Sequence, residues 1–529
     1  MPLSVLTIDQ MRALEADADQ NGYPYDRMMQ DAGGCVAELA AQRARDHFDS
    51  PVRVTVLVGS GGNGGDGLIA AVRLRQLLPD SQVRTLLQTR REDDPLVEAA
   101  LSAGVFVAYS EDDRDGRVIR QMVGSADLLI DAVLGFGARL PVKGEAQRIL
   151  RFARQALNER ANARQARPLN TPTTGGQVQR PPKQWVIAVD CPSGLDLDTG
   201  AADAYTLTAD DSITFFAAKP GHLTGAGVSK VGQVHVAPLD LPESIRIDKR
   251  TALSLLDNEA MRDLLPDRPL DGHKGTFGKL AVLGGSDAMP GAAGLSARAA
   301  YRTGAGWVAV ATTPQATHAL QTHLLEAVWW PAVPDAERLA DLDALIVGPG
   351  LGDGAHAAEV LRTALASARP LVIDASGLTA WAALPDRPTL PPDAILTPHP
   401  GEMATLLGQT TAEVQADRIG AAQRGAQAWG CVVVLKGAHT VIAAPNGKTA
   451  LSPFKTDALA KAGTGDVLAG VIGALRAAGL PAYDAARLGV YLHGLSGVIA
   501  AEQAGHAVGV LASGVADAIP LAWSRLSRG

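Results

Sequence analysis

Four short strings put bare backbone, carboxylates and hydroxyls where a nucleotide can be held and changed: GSGGNGGDG at 59–67, LLIDAVLGFGARLP at 128–141, VIAVDCPSGLD at 186–196 and KAGTGDVLAG at 461–470. The first lies between an apolar run and a helical stretch. Its glycines can present several backbone N–H groups, and the helix start adds the positive end of a dipole. A bound phosphate or other anion is one reading, a structural tight turn the other. No GK[ST] follows, and the loop does not fit GxGxxG with an acid about 20 residues on. Asn63 in this loop, Asp131 in the second string and Ser193 in the third could converge with backbone carbonyls on one cation. Oxygen donors without His or Cys favour an alkali or alkaline-earth ion over zinc. Taken singly, each acid is an ordinary helix cap or Asx-turn. In the fourth string Gly463, Thr464, Gly465 and Asp466 open a helix. N–H groups there can hold a phosphoryl group in transfer, and the carboxylate can take the proton of a hydroxyl acceptor. A capped helix start is the competing reading.

The elements that must position these strings repeat along the chain. A short β-branched run ends in glycine or aspartate, and an Ala-rich amphipathic stretch follows: VRVTVLVGS at 52–60, ADLLIDAVLG at 126–135, WVIAVDCPSG at 185–194, GKLAVLGGS at 278–286, ALIVGPGLG at 344–352, PLVIDASG at 370–377 and CVVVLKGAHT at 431–440. Continuous apolar strands alternating with helices predict parallel sheets covered on both faces, with ligands beyond the carboxyl ends of the strands. Residues 158–184, rich in Pro, Thr, Gln and Arg, read as a flexible surface insertion, because WVIAVD after them continues the same sheet. A β-like run followed by a new helical start near 245–250 marks a junction, giving domains 1–247 and 248–529.

Composition sets the outer bounds. At roughly 100–200 residues per domain, 529 residues imply two to four domains. The 56 glycines cluster in short motifs without a period, which means tight turns and loops that let ligands approach. A net charge of −8 gives no basic footprint for nucleic acid. Cys35, Cys191 and Cys431 form no CxxC pair, so neither a disulfide framework nor structural zinc is expected. The opening residues do not read as a leader, and no apolar run reaches about 18 residues, so a cytoplasmic protein without a membrane partner is expected.

GGNGGDG, DAVLGFG, VDCPSGLD and TFFAAKPGH, with TIDQMRALEADAD and MMQDAG at the start, resemble the NAD(P)H-hydrate epimerase family over about residues 1–245. The resemblance implies a Rossmann-like domain that interconverts R and S hydrates of NADH and NADPH. It implies substrate contacts from Gly62, Asn63, Gly64, Gly65 and Asp66, from Gly135, Phe136, Gly137, Ala138, Arg139, Leu140 and Pro141, and from Asp190. It implies a potassium ion on Asn63, Asp131 and Ser193. Gly62 stands where the family usually has a second Asn. Epimerisation at C6 needs the hydroxyl to leave and return on the other face, which calls for an acid/base carboxylate. Asp131 is the candidate, and a static role holding potassium competes with it.

In the second half, LTPHPGEMATLLG at 396–408, VVVLKGAHTVIAAPNG at 432–447, GGSDAMPGAAGLSARAAYRTGAGWV at 284–308 and LIVGPGLG at 345–352 join the GTGD string. Together they resemble the ribokinase-like superfamily and, within it, ADP- or ATP-dependent NAD(P)H-hydrate dehydratases, over about residues 255–525. The resemblance implies that Lys436, Gly437, Ala438, His439, Thr440 and Gly465 lie on the adenine nucleotide. Ala292, Gly350, Gly352 and His399 lie on the hydrate, and Asp466 is the base that activates its hydroxyl. Ser376 and Ala462 depart from the residues usual at those positions, an Asp and a Gly. Lys436 itself reads either as a positive charge for the phosphoryl group or as a solvated turn residue.

A kinase-like site suits a dehydratase because phosphate leaves far better than hydroxide, and Mg2+ is expected at the moving phosphoryl group. The expectation is therefore two three-layer αβα domains in one α/β chain, Rossmann-like then ribokinase-like. Together they would form a bifunctional repair enzyme for NADHX and NADPHX that uses K+, Mg2+ and ADP or ATP, with ADP favoured by the resemblance. Both domain families tend to self-associate, so a homo-oligomer is expected. The alternative is a ribokinase-like small-metabolite kinase fused to a nucleotide-binding module.

Overall fold

The computed structural model describes residues 3–165, 183–247 and 251–528. The chain divides into two compact units, Ser4–Thr251 and, with Met1–Leu3, Ala252–Gly529. The expected junction at 247 and 248 falls just before that division, at the edge of the undescribed residues 248–250.

The N-terminal unit opens with helices Ile8–Gln20 and Tyr25–His47; a capping box between Thr7 and Gln10 starts the first. Its described sheet has seven strands in the order Phe106–Tyr109, Gln82–Leu87, Arg53–Val58, Leu128–Ala132, Trp185–Val189, Asp211–Phe215 and Gln233–Ala237. Every pair is parallel. The strands read as unbroken apolar runs because both faces are covered: Val54, Val56 and Val58 join one core cluster, and Leu57 joins another on the opposite face. The chain starts in the middle of the sheet, winds outward, and returns beside its first strand, with Leu57 opposite Asp131. That reversal puts the switch point between Arg53–Val58 and Leu128–Ala132, and the glycine loop and Asp131 stand at its carboxyl end.

The C-terminal sheet runs Leu253–Leu255, Thr449–Leu451, Val441–Ala443, Val432–Leu435, Ile395–Leu396, Leu371–Ile373, Ala344–Val347, Lys279–Leu283, Trp307–Thr312 and Val328–Pro331. It is parallel from Val432–Leu435 to Val328–Pro331, and the Val441–Ala443 and Thr449–Leu451 strands are antiparallel to their neighbours on the Val432 side. Leu280 and Val282 face one core cluster while Ala281 and Leu283 face another, so this sheet too is sandwiched. The register of Val347 with Ile373, Ile373 with Leu396 and Leu396 with Val433 brings the ends of these strands to one rim. Helix Thr464–Ala477 packs closely on helix Pro290–Thr303: a Cβ at Gly470 would come 2.2 Å from the Ser296 carbonyl oxygen.

The layered α/β architecture follows the expectation. The expected insertion does not hold as bounded, because helix Gly144–Gln165 carries the chain through 158–165. Arg160 ties it down by donating to the Gly124 and Ala126 carbonyls, the first at 3.1 Å. The rest of the insertion lies outside the described residues apart from Lys183 and Gln184. Among the described residues no helix is long and apolar enough to cross a membrane, and all three cysteines are free.

Candidate functional site

The N-terminal unit holds a cavity of about 470 Å3 beyond the carboxyl ends of its strands. Gly62, Asn63, Asp66, Gly135, Phe136, Gly137, Ala138 and Asp190 line it. Gly64 and Gly65 do not. They are buried packing residues, and a Cβ at Gly64 would come 2.1 Å from the Gly59 carbonyl oxygen. Arg139, Leu140 and Pro141 also fall outside the lining. The wall opposite the loops is apolar, built from Met28, Met29, Phe215, Phe216 and Leu239.

Asp190 is the best-anchored polar group of this cavity. Its backbone is left-handed at φ 62°, a conformation that costs a non-glycine residue about 1–3 kcal/mol unless its surroundings fix it. They do so here. One carboxylate oxygen accepts from Lys219 Nζ at 2.9 Å and Thr214 Oγ1 at 2.8 Å, and the other from the Phe136 N–H at 3.1 Å. Burial works to raise its pKa, but the Lys219 ammonium, with help from His222 and these bonds, brings it below the usual carboxylate value. His222 is held neutral: burial, with Lys219, lowers it to about 4. Its Nδ1 accepts from the Lys219 N–H at 3.1 Å, so its Nε2 is the donor to the Asp190 carbonyl at 2.9 Å.

Two other acids line the same cavity with opposite tendencies. Burial pushes Glu15 up to about 7, with Asp190 adding to the rise and Lys219 and Arg12 opposing it. Burial drives Asp66 well above the usual value, with Asp190 and Glu15 adding to it. Sequence reasoning missed Glu15 and Lys219. Lys219 lay in view within TFFAAKPGH, but its convergence on Asp190 is made by the fold alone.

Asp131 lies behind the cavity and is fully buried. Ser193 donates to it from Oγ at 2.6 Å and from its backbone N–H at 2.9 Å, and Val133 N–H at 3.3 Å. The Ser193 hydroxyl oxygen in turn accepts from the Leu134 N–H at 2.8 Å. Asn63 stands beside this group, and a Cβ at Gly135 would come 3.2 Å from its Oδ1. The Asn63 Nδ2 is buried without a hydrogen-bond partner among the described residues. Asp131, held by Ser193, therefore stands outside the cavity lining, whereas Asn63 lies in it.

In the C-terminal unit the GTGD string does open helix Thr464–Ala477, with Gly463 left-handed at φ 90° as its N-cap. Lys436, at the end of strand Val432–Leu435, reaches this start: a Cβ at Gly465 would come 3.3 Å from its Nζ. Lys436 is not a solvated turn residue. It donates to Asp374 at 2.6 Å and lies 3.9 Å from Glu402, and Thr397 also donates to Asp374 at 2.7 Å. Burial works to lower the Lys436 ammonium, and the facing carboxylates overcome it. Burial raises Asp466 to about 7, with Asp374 and Glu402 adding and Lys436 opposing. The Ser296 hydroxyl holds the Asp466 carbonyl at 2.8 Å.

Ala292 and Gly350 lie close together: a Cβ at Gly350, whose φ is 66°, would come 2.8 Å from that of Ala292. Gly352 is left-handed with open space around it. His399 caps helix Pro400–Leu407, its Nδ1 accepting from Gly401 and Glu402, so its exposed Nε2 carries the proton. His399 and Glu402 edge a cleft of about 260 Å3 with Thr379 and Thr405. His439 departs from expectation. Its ring is buried on the Ser452 carbonyl at 2.8 Å, and burial lowers it to about 4, so only its backbone faces the Lys436–Thr440 turn. The Thr440 hydroxyl closes that turn on the Gly437 carbonyl at 2.9 Å, and Arg418, buried behind it, donates to the Leu435 and Lys436 carbonyls. Asp374 and Arg418 were missed, and Glu402 was seen in the sequence without a role. Buried His493, bonded to the Thr464 backbone, was also missed.

Residues 280–521 match the family described as NAD(P)H-hydrate dehydratase, and residues 25–221 match the one described as YjeF-related protein N-terminus. A bifunctional NAD(P)H-hydrate repair enzyme of Moorella thermoacetica is 33% identical over 520 residues, with 93% of this chain and 91% of the relative covered. One of Escherichia coli is 32% identical over 509 residues, covering 96% and 91%. Among solved structures, an ADP/ATP-dependent NAD(P)H-hydrate dehydratase from Bacillus subtilis co-crystallised with ATP and Mg2+ is 34% identical, covering 51% of this chain and 98% of its own, with a TM-score of 0.47. Matched along nearly its whole length by such relatives, the chain belongs to the family of bifunctional NAD(P)H-hydrate repair enzymes.

Proposed function

We propose that this protein repairs hydrated NADH and NADPH in two steps. The N-terminal unit exchanges the R and S hydrates, and the C-terminal unit dehydrates the S form at the expense of ADP, with ATP as an alternative donor. The observation that carries this reading is a shared device: each unit sets a carboxyl near neutrality beside a lysine–aspartate pair at its strand ends. Groups tuned in this way are what proton transfer at neutral pH requires.

In the N-terminal unit the helix start at Gly62 receives the anionic end of the substrate, and the apolar wall receives the ring. Asp190, kept ionised by Lys219, faces the positive charge that develops on the ring as the C6 hydroxyl leaves. Asn63, Asp131 and Ser193 would hold potassium through their side-chain oxygens, a donor set that suits a hard cation. When bound, that ion supplies fixed positive charge under the loop. Asp131 serves it as a ligand and takes no part in proton transfer.

In the C-terminal unit the N–H groups at Thr464–Asp466 hold the phosphoryl group, Lys436 neutralises its charge and Asp466 takes the proton of the hydrate hydroxyl. Elimination of phosphate then restores the ring. Mg2+, when bound, neutralises the moving phosphoryl group. Glu402, 3.9 Å from Lys436, would hold that ion together with the nucleotide's own phosphates.

The test is to give the protein mixed R and S hydrates with K+, Mg2+ and ADP, ATP in parallel, and to follow the NADH absorbance. Both epimers should be recovered. Recovery that stops at the S fraction would reduce the first unit to a binding module. A stable phosphorylated product would instead identify a small-metabolite kinase.

A further inference from the structure

The epimerase cavity contains more acid than the reaction has so far used. Asp190 has both carboxylate oxygens committed, to Lys219 and Thr214 on one side and to the Phe136 N–H on the other, and it stays ionised, so it has no proton to give. Asp131 does not reach the cavity. Asp66 stands in the first turns of the helix that receives the anion, and burial, with Asp190 and Glu15 adding to it, raises it well above the usual carboxylate value. Glu15 is different. It comes from helix Ile8–Gln20, lines the same cavity as Asp190 and Lys219, and is half-buried. It feels burial and the charges of Lys219, Asp190 and Arg12, with no hydrogen bond among the influences on it. The other groups that face it are Asp66 from the glycine-loop helix and Tyr25 from helix Tyr25–His47.

We propose that Glu15 is the catalytic acid and base of the epimerase cavity, giving a proton to the hydroxyl that leaves C6 and taking one from the water that adds to the opposite face. The proposal rests on the epimerase reading of this cavity. The step balances without any oxidant or reductant. The ring nitrogen lone pair forms the N1=C6 bond, the C6–O bond breaks toward oxygen, and the Glu15 proton converts the departing hydroxide to water. Ionised Asp190 faces the resulting cation. Return is the mirror of departure: water adds to C6, its electron pair closes the new C–O bond, the N1=C6 pair returns to nitrogen, and the Glu15 carboxylate accepts the proton. A carboxyl that lines the cavity and is raised to about 7 can do both within one turnover, which ionised Asp190 cannot.

The experiment uses the full chain, pure (R)-NADHX and K+, without adenine nucleotide, so that only exchange to the S form is read. Wild-type exchange should slow as pH rises through about 7, where Glu15 loses its proton. Glu15→Gln should slow exchange by about 100-fold or more and abolish that pH limb, with thermal unfolding unchanged. Glu15→Asp should restore part of the rate with the limb displaced, and it decides the matter if the Gln variant does not fold. Exchange at the wild-type rate with the wild-type limb in Glu15→Gln, or an unmoved limb in Glu15→Asp, would overturn the assignment alone. Wild-type protein that leaves the R hydrate unexchanged would overturn the epimerase reading, and the assignment with it.

Discussion

The two strand-end centres are built on one plan and differ in one respect. In the N-terminal unit Lys219 pairs with Asp190 at 2.9 Å beside Glu15, and in the C-terminal unit Lys436 pairs with Asp374 at 2.6 Å beside Asp466. In each unit burial raises the carboxyl beside the pair toward neutrality; the aspartate of the pair adds to the rise and the lysine opposes it. What differs is the protonation state that each chemistry needs. Epimerisation starts when a hydroxyl is protonated to leave; phosphoryl transfer starts when a hydroxyl is deprotonated to attack. The same electrostatic device thus serves an acid in one unit and a base in the other, and the surroundings decide which. The first is a cavity with an apolar wall that takes a ring, the second a helix start that takes a phosphoryl group.

Removing the base should break the comparison most sharply. Asp466→Asn should lower dehydration by about 10²–10⁴-fold while R to S exchange continues at the wild-type rate. Assays of both activities on one preparation check it. Next come the lysines. The partner carboxylates are both buried, Asp190 at 5% exposure and Asp374 at 1%, so Lys219→Met and Lys436→Met each strand a buried charge. Each should cost its own unit about 3–5 kcal/mol of stability, read from denaturant unfolding. A smaller effect is expected at the ion. Ser193→Ala removes a hydroxyl bonded to Asp131 and should raise the potassium needed for half-maximal exchange by about tenfold, with dehydration untouched. Gly350→Ala, at φ 66° against Ala292, should destabilise the C-terminal unit by about 1–3 kcal/mol and raise KM for the hydrate.

Much of this was readable in the chain because parallel strands are apolar without interruption and end in the residues that face ligands. VRVTVLVGS, LLIDAVLG and VIAVDCPSG announce a strand, its end and a polar residue in one phrase, and the fold sets the Ser193 hydroxyl 2.6 Å from Asp131 and Asn63 against Gly135. Glu15, Lys219 and Asp190 could not be joined in advance. They lie in a helix, after one strand and after another, and only the order of the sheet makes them neighbours. Lys436 misled because a lone lysine after a strand is ordinarily solvated; Asp374, at the end of the strand two places along the sheet, is what captures it. Residues 158–165 misled because they lack an apolar stripe, and Arg160 supplies by hydrogen bonding what the stripe would otherwise supply by packing.

The most direct measurement of the central claim is the pH dependence of both activities in the same preparation, across neutrality. Glu15 and Asp466 both titrate near 7. The acid is active below its pKa and the base above it, so exchange should fall and dehydration should rise as pH increases through that value. Limbs of the same sign, or the same limbs surviving in Glu15→Gln and Asp466→Asn, would contradict the account of one electrostatic device used in opposite senses.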